Sequence, residues 1–222
     1  MRYKGSKIQV LDLPGIIEGA AHGKGRGREV IAVARSADAI LIVLDAGKEG
    51  LNLHREILEQ ELETVGIRLN QHPPDVTFKK KKSGGVRFAS TVPLTKLGPE
   101  PEKLATSVMR QYKITNADLL AREDITVDQL VDVIQGNRQY KPCLYLYNKI
   151  DTVTIEEIDK LARMPHSIVG SVVKKLNIGE PHEDDLVKSK MWEYLGLTRV
   201  YTKRKGAFSF LIESFLLLAC CV

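Results

Sequence analysis

Cysteine is scarce in this sequence of 222 residues, and the three that occur are Cys143, Cys220 and Cys221. Two are adjacent near the carboxyl end and the third is far from them, so neither a disulfide framework nor a metal-binding spacing is present. Cys143 lies within an apolar run, where a buried thiol is the ordinary interpretation. The cysteine content therefore excludes a disulfide-stapled secreted domain and indicates a reducing, cytoplasmic setting.

The sequence also lacks an apolar signal region behind Met1 and any long polar tract. Residues 207–222 are almost wholly apolar, but these sixteen residues are fewer than the ~20 that a membrane-spanning helix needs. We interpret this tail as the altered or truncated end of a longer chain and expect no membrane association. A tail anchor behind the basic residues 203–205, or lipidation of the two terminal cysteines, is the alternative.

The composition is that of a globular protein, with 43% hydrophobic and 27% charged residues. A chain of this length predicts one or two domains with a sizeable core. The net charge of +5 is compatible with an RNA-rich partner, although many enzymes are equally basic.

Apolar periodicity predicts alternating strands and helices in both parts of the chain. The predicted elements are a strand at 7–11, a helix at 29–37, a strand at 39–44, a helix at 53–65, a strand at 142–147, a helix at 154–163, a strand at 167–173 and a helix at 186–195. Residues 199–202 could begin another strand. This alternation is typical of an α/β fold with a parallel sheet.

The alternation breaks between residues 66 and 138, where prolines, glycines and β-like pieces such as 86–92 occur. Helices are predicted at 102–112 and 126–134, so we interpret this segment as an inserted α+β subdomain. It contains a basic run that consists of Lys79, Lys80, Lys81 and Lys82. This run predicts either contact with RNA phosphates or, as the more ordinary alternative, a solvated loop at a hairpin tip.

The first predicted strand ends in Asp12-Leu13-Pro14-Gly15. A strand that stops on Asp-x-x-Gly can place a Mg²⁺-linked carboxylate beside a backbone N–H that reaches a terminal phosphate. The glycine-rich stretch that follows includes Gly19-x-x-x-Gly23-Lys24-Gly25. It is not a phosphate loop, because such a loop has four residues between the glycines and a hydroxyl after the lysine. We interpret it as a mobile switch.

A second motif, Asn148-Lys149-Ile150-Asp151, also follows an apolar run. Guanine presents a ring N–H and an exocyclic amine side by side, and the Asp151 carboxylate can accept from both, whereas adenine offers no such pair. Asn148 would brace the loop and reach the other edge of the base, and the Lys149 stem would lie along its plane. Two strand-ending motifs in this order predict a guanine-nucleotide domain.

Together these residues resemble the developmentally regulated GTP-binding proteins, a branch of the Obg-related GTPases. The resemblance covers about residues 3–206 and is carried by LDLPGIIEGA at 11–20, GKGRGR at 23–28, IAVAR at 31–35, GIRLN at 66–70, GNR at 136–138, YNKID at 147–151, MWEYL at 191–195 and YTK at 201–203.

The resemblance implies a Ras-like P-loop GTPase sheet with an inserted subdomain similar to ribosomal protein S5. It divides the chain into a first part of the G domain at 1–65, the insert at 66–138, a second part at 139–196, and a truncated TGS start with the apolar tail at 197–222. It also implies GTP and GDP as ligands and Mg²⁺ held through water by Asp12, with K⁺ as a further candidate cation. The Gly15 N–H would meet the γ-phosphate, and the implied partners are the ribosome and a dedicated stabilising protein.

The sequence departs from the family at several points. The phosphate loop and the first switch that precede position 3 in the family are not among these residues, so the sheet would lack its first strand. Ile16 stands where Ras-like enzymes carry a water-positioning glutamine, which implies slow hydrolysis. In the base-binding loop the family has Ser-Cys, and here Ser171 is kept while Val172 replaces the cysteine.

These observations favour a fragment or shortened product of a GTPase that retains guanine recognition but lacks the phosphate half of the site. The alternative is a non-enzymatic module that binds the ribosome, RNA or a protein through the basic insert.

Overall fold

The computed structural model describes residues 2–3, 6–12, 27–178 and 185–197. The chain divides into two compact units. The main unit comprises Met1–Gln71 and Lys141–Val222, and the insert comprises His72–Tyr140.

Ten strands and six helices occur within the described residues. The strands are β1 (Arg2–Tyr3), β2 (Ser6–Lys7), β3 (Ile40–Asp45), β4 (Ile67–Leu69), β5 (Val76–Lys80), β6 (Val86–Ser90), β7 (Ala117–Ala121), β8 (Gln139–Lys141), β9 (Cys143–Asn148) and β10 (Ser167–Val169). The helices are α1 (Gly27–Ser36), α2 (Leu51–Thr64), α3 (Pro101–Gln111), α4 (Val127–Gln135), α5 (Ile155–Ala162) and α6 (Leu186–Tyr194).

The main unit is built on a parallel sheet in the order β10-β9-β3. The apolar run of β9 is buried from Cys143 to Tyr147, as expected of a strand with both faces covered. One face packs with α2 in a cluster around Ile42, and the other packs in a cluster that includes Leu146 and Met191 of α6. The predicted α/β class and the buried thiol of Cys143 are confirmed.

A polar cluster fixes α2 against the central strand β9. The Arg55 guanidinium lies 3.7 Å from the centroid of the Tyr145 ring and donates to Glu59 and to the Tyr147 hydroxyl. The Tyr145 hydroxyl donates to Glu59, and burial raises the pKa of this phenol. Because these groups hydrogen-bond to one another, the cost of removing them from water between α2 and the sheet is offset.

The helices match the sequence prediction within two residues at either end, and the starts of α4, α5 and α6 are marked by side-chain caps. Thr154 caps α5 in a capping box with Glu157. Thr126 caps α4 in a second capping box with Gln129.

Two predicted strands are wrong in extent. Of the strand expected at 7–11, only Lys7 is in a strand, because residues 8–12 have no strand assignment; Ser6–Lys7 pairs antiparallel with Arg2–Tyr3. Ile8 still buries its side chain in the core of the main unit. The strand expected at 167–173 ends at Val169, because the chain then turns and only Ser171 bridges back, to Leu176.

The insert has a three-stranded sheet in the order β5-β7-β6, antiparallel between β5 and β7 and parallel between β6 and β7. Helices α3 and α4 pack on it around a buried cluster that includes Leu119 and Leu130. The sequence predicted β6 and both helices but not β5 or the central strand β7. The predicted α+β character of this segment is therefore confirmed, while its similarity to a ribosomal protein and the fourfold division of the chain remain predictions.

None of the helices within the described ranges is long and apolar enough to cross a bilayer. The predicted switch loop up to residue 26, the strand at 199–202 and the apolar tail lie outside the described residues.

The packing of α2 gives a stability prediction with an internal control. Leu62 is 2% exposed in the main core, whereas Leu53 on the same helix is 62% exposed. Leu62→Ala should lower the free energy of unfolding by about 2–5 kcal/mol through lost burial and a cavity, and Leu53→Ala by less than about 1 kcal/mol. Urea titration followed by the fluorescence of Trp192, the single tryptophan, reports on the main unit. Equal losses for the two variants would contradict this packing.

Candidate functional site

The candidate site lies at the carboxyl edge of the parallel sheet. Residues Asp45, Asn148 and Val169 end their strands at this edge, because β3 and β10 both run parallel to β9. In open α/β sheets, ligands bind in the crevice outside the carboxyl ends of the strands. A binding site is therefore expected at the three loops that leave these strand ends.

The loop after β9 is held in a defined conformation. Lys149 has φ 62°, and the chain then enters a short 3₁₀ turn at Ile150–Thr152. The Ile150 side chain is buried, and the Thr152 hydroxyl donates to the Lys149 carbonyl at 2.8 Å. These contacts make the loop a fixed support for the side chains of residues 148, 149 and 151.

Asp151 is paired with the loop after β10. The Ser171 hydroxyl donates to Oδ1 of Asp151 at 2.5 Å, and Ser171 is fully buried. This hydrogen bond is the largest cause that lowers the pKa of the Asp151 carboxyl below its usual value, with smaller contributions from Lys174 and Lys149. Asp151 is thus a carboxylate at neutral pH, and its side chain is accessible.

Asn148 braces the same two loops. Its Oδ1 accepts from the Val172 N–H at 3.2 Å and from the Lys149 N–H at 2.8 Å. The acceptor of this amide is therefore engaged, and its NH₂ group makes no hydrogen bond to any of the described residues. An amide in this state can donate to an acceptor on a ligand.

The Lys149 ammonium is drawn to the neighbouring strand. Its Nζ lies 2.6 Å from Oδ2 of Asp45. This pair lowers the pKa of the Asp45 carboxyl and raises that of the Lys149 amine. The Lys149 stem consequently runs across the edge from β9 toward β3, where an aliphatic surface can lie under a planar ring.

The turn after β3 fits tightly against this loop. Ala46 N–H donates to the Asn148 carbonyl, and Gly47 N–H donates to Oδ1 of Asp45. A Cβ at Gly47 would lie 2.7 Å from Oγ1 of Thr152, closer than real side chains approach. Asp45 is not among the site residues predicted from the sequence, because only the assembled sheet places the end of β3 beside the end of β9.

The structure brings together part of the predicted set. Asn148, Lys149, Asp151, Ser171 and Val172 lie on two loops joined by hydrogen bonds. Val172 is 57% exposed at the rim, so an apolar side chain stands where the resemblance expected a cysteine.

The phosphate side of the predicted set is described only at Asp12. Leu13, Pro14 and Gly15 lie outside the described residues. Asp12 is exposed and makes no hydrogen bond or ion pair with the described residues. No group of three metal-binding side chains occurs in the described ranges, but Mg²⁺ at phosphates commonly uses one carboxylate, water and phosphate oxygens. A lone accessible carboxylate fits that role, and the assignment remains a prediction.

The arrangement as a whole matches the hydrogen-bonding edge of a guanine base. The Asp151 carboxylate accepts from two adjacent donors, the Asn148 amide donates, and the Lys149 stem supplies an aliphatic surface. In adenine the ring nitrogen at this edge is a hydrogen-bond acceptor, so it would face the carboxylate oxygens, which are also acceptors, and be repelled.

Two family models match this chain. Residues 1–80 match the family model described as 50S ribosome-binding GTPase, MMR_HSR1, and residues 83–197 match that of the C-terminal region of the MMR_HSR1 domain.

Three relatives illustrate the similarity. An uncharacterized GTP-binding protein of Caenorhabditis elegans is 58% identical over 92% of this chain and 53% of its own length. Human developmentally-regulated GTP-binding protein 2 is 55% identical over 93% of this chain and 54% of its own, and developmentally-regulated G-protein 2 of Arabidopsis thaliana is 53% identical over 99% and 52%. The chain thus spans about half the length of the curated relatives it matches. The resemblance seen in the sequence is confirmed, and the chain belongs to the MMR_HSR1 GTPase family, within the group of developmentally regulated GTP-binding proteins.

Proposed function

We propose that this chain binds GTP and GDP by recognising the guanine base at the carboxyl edge of its parallel sheet. One observation carries the proposal: the buried Ser171 hydroxyl holds Asp151 as an accessible carboxylate between the ends of β9 and β10. The printed names of the relatives, which describe them as GTP-binding proteins, support the same ligand.

At the phosphate end of the nucleotide, this chain offers fewer side chains than at the base. Asp12 would hold Mg²⁺ through water and the Gly15 N–H would meet the γ-phosphate, as the resemblance implies. These 222 residues contain no Gly-x-x-x-x-Gly-Lys-Ser/Thr sequence, and Ile16 cannot orient a water molecule. We therefore expect a chain of these residues to bind GTP weakly and to hydrolyse it slowly by itself.

We also propose that the protein acts in the cytoplasm with the ribosome and with a stabilising partner protein. The description 50S ribosome-binding GTPase of the matching family model supports the first of these partners. A test is co-sedimentation of the purified chain with ribosomes in the presence of GTP and of GDP, and absence of the chain from the ribosomal pellet in both would overturn the proposal.

Asp151→Asn tests the proposed base recognition. The substituted amide offers one donor and one acceptor, so it no longer matches the paired donors of guanine but does match xanthine, which has a carbonyl in place of the amine. Binding of labelled GTP should fall by at least about tenfold, and binding of labelled xanthosine triphosphate should rise. Fluorescence anisotropy measures the binding of each labelled nucleotide, and unlabelled GDP and ATP are added as competitors.

A matched control for this change is Asp159→Asn. Asp159 is an exposed carboxylate on α5 that pairs with Arg163, and it lies in the same unit. This variant should retain GTP binding, since it removes the same charge away from the site. Competition by ATP as strong as by GDP, or an equal loss in both variants, would refute guanine recognition by Asp151.

Ser171→Ala should change how binding depends on pH. The Ser171 hydrogen bond lowers the pKa of Asp151, so in the natural chain the ionised form needed for guanine persists as the pH falls to the ordinary carboxyl range. Without the hydroxyl the pKa rises, and affinity should be lost at higher pH than in the natural chain. The ratio of the two GTP affinities, measured from about pH 4 to 7, cancels titration of the nucleotide itself. A ratio that stays constant with pH would contradict the role of Ser171.

Gly47→Ala tests whether the turn after β3 supports the site. The new methyl group would displace the Thr152 hydroxyl from the Lys149 carbonyl and disturb the loop, so GTP affinity should fall. In a Thr152→Ala background the hydroxyl is already gone and the methyl group has room. Adding Gly47→Ala there should have little further effect, and additive losses in this double-mutant cycle would contradict the proposed contact.

A further inference from the structure

The sheet of the insert is covered on one face only. Side chains alternate between the faces of a strand, and those on the covered face pack with α3 and α4 in the buried cluster. They are Val76, Phe78, Val86, Phe88, Ala117, Leu119 and Ala121. The opposite face carries no helix among the described residues, and its side chains are polar, charged or small except for one leucine. They are Thr77, Lys79, Arg87, Ala89, Asp118 and Leu120.

A row of charges crosses the middle of this open face. Lys79 on β5 and Arg87 on β6 are both in register with Asp118 on the central strand β7. Lys81, just beyond β5, places its Nζ 2.6 Å from Oδ1 of Asp118. Three cationic residues thus lie around one carboxylate, which is engaged by Lys81, so the cluster keeps an excess of two positive charges, and Lys79 and Arg87 are exposed.

Strand geometry divides the basic run of residues 79–82 between the two faces of the sheet. Lys79 and Lys81 belong to the open face, whereas Lys80 falls on the other side of β5 because of strand alternation. The run is thus not simply a solvated loop. Part of it joins Arg87, which lies on a different strand, in one charged surface.

We propose that this open face binds the phosphate backbone of double-stranded RNA. Lys79 and Arg87 are two strand spacings apart, about 10 Å, and their long side chains extend from a flat surface. A-form RNA has a wide, shallow minor groove that is recognised by its shape and by backbone contacts. Two basic side chains separated across a flat sheet can meet phosphates on the two sides of such a groove.

The composition of the face argues against other nucleic acids. Proteins that hold single strands stack the bases on aromatic side chains, and the face has Thr77, Ala89 and Leu120 in the positions beside the charges. The major groove of B-form DNA admits a helix or a two-stranded ribbon, and neither projects from this sheet. The surface is independent of the nucleotide site, since it uses only residues of the insert.

The test measures anisotropy of a labelled RNA duplex of about 20 base pairs with the full chain over a range of salt concentrations. Lys79→Ser with Arg87→Ser should weaken binding at low salt by at least about tenfold and reduce the log–log salt slope by about two, because two phosphate contacts are lost. Lys79→Arg with Arg87→Lys keeps the charges and should keep the binding.

The matched control is Lys103→Ser with Arg110→Ser. These exposed residues lie on α3, and the pair removes the same two charge types from the same unit while leaving the open face intact. Binding should change by less than about twofold. Asp151→Asn should bind the duplex like the natural chain, which separates this proposal from guanine recognition.

Several outcomes would overturn the proposal. Equal losses of RNA affinity in the Lys79/Arg87 and the Lys103/Arg110 double variants would show that the electrostatic attraction is spread over the molecule. Equal affinity for single-stranded RNA or for a DNA duplex would refute the assigned ligand, as would displacement of the RNA by a polyglutamate peptide at comparable concentration. Failure of the natural chain to bind the duplex at low salt would refute the proposed RNA-binding site.

Discussion

The hydrogen-bond ladder of the central strand β9 is the constraint on which the site depends. On one side Gly170 N–H donates to the Tyr147 carbonyl, and on the other Ala46 N–H donates to the Asn148 carbonyl. These bonds fix how far each neighbouring strand advances before its loop begins. A slip of one residue would turn every side chain to the opposite face, and the cores on both faces would oppose it. The parallel register therefore determines which side chains meet at the edge of the sheet.

Within that edge, the two charged residues of one loop are drawn in opposite directions. Lys149 pairs with Asp45 on the side of β3, while Asp151 accepts from Ser171 on the side of β10. If Lys149 instead paired with Asp151, the carboxylate would be neutralised within the loop and its oxygens would be taken. A carboxylate has about four acceptor positions, and the serine uses one of them. The separation keeps the charge and most of the acceptor capacity of Asp151 available to a ligand.

What the sequence predicts and what it misses follow from how local each feature is. The helices were placed well because apolar spacing and capping residues such as Thr154 act within a few positions. The strand at 7–11 was wrong because pairing depends on a distant neighbour. Strand β7 escaped detection since Ala-Asp-Leu-Leu-Ala has little strand propensity, and it is made a strand by the two that flank it. The Asp151 motif was evident from its residues, whereas the place of Ser171 came from resemblance and Asp45 could be seen only in the assembled sheet.

The point where the chain returns to β9 explains how the sheet tolerates a large insertion. Asn70, with φ 51°, donates its N–H to the Lys141 carbonyl and accepts from the Cys143 N–H at 2.7 Å through its side chain. The chain that leaves the main unit is therefore tied to the chain that re-enters it, directly before β9 begins. Because this junction is closed by its own hydrogen bonds, the start of β9 does not need the insert to define it. The entropic cost of a longer loop between fixed ends grows only slowly with length, so a separate folded unit can occupy this position while β9 still delivers Asn148 and Asp151 to the edge of the sheet.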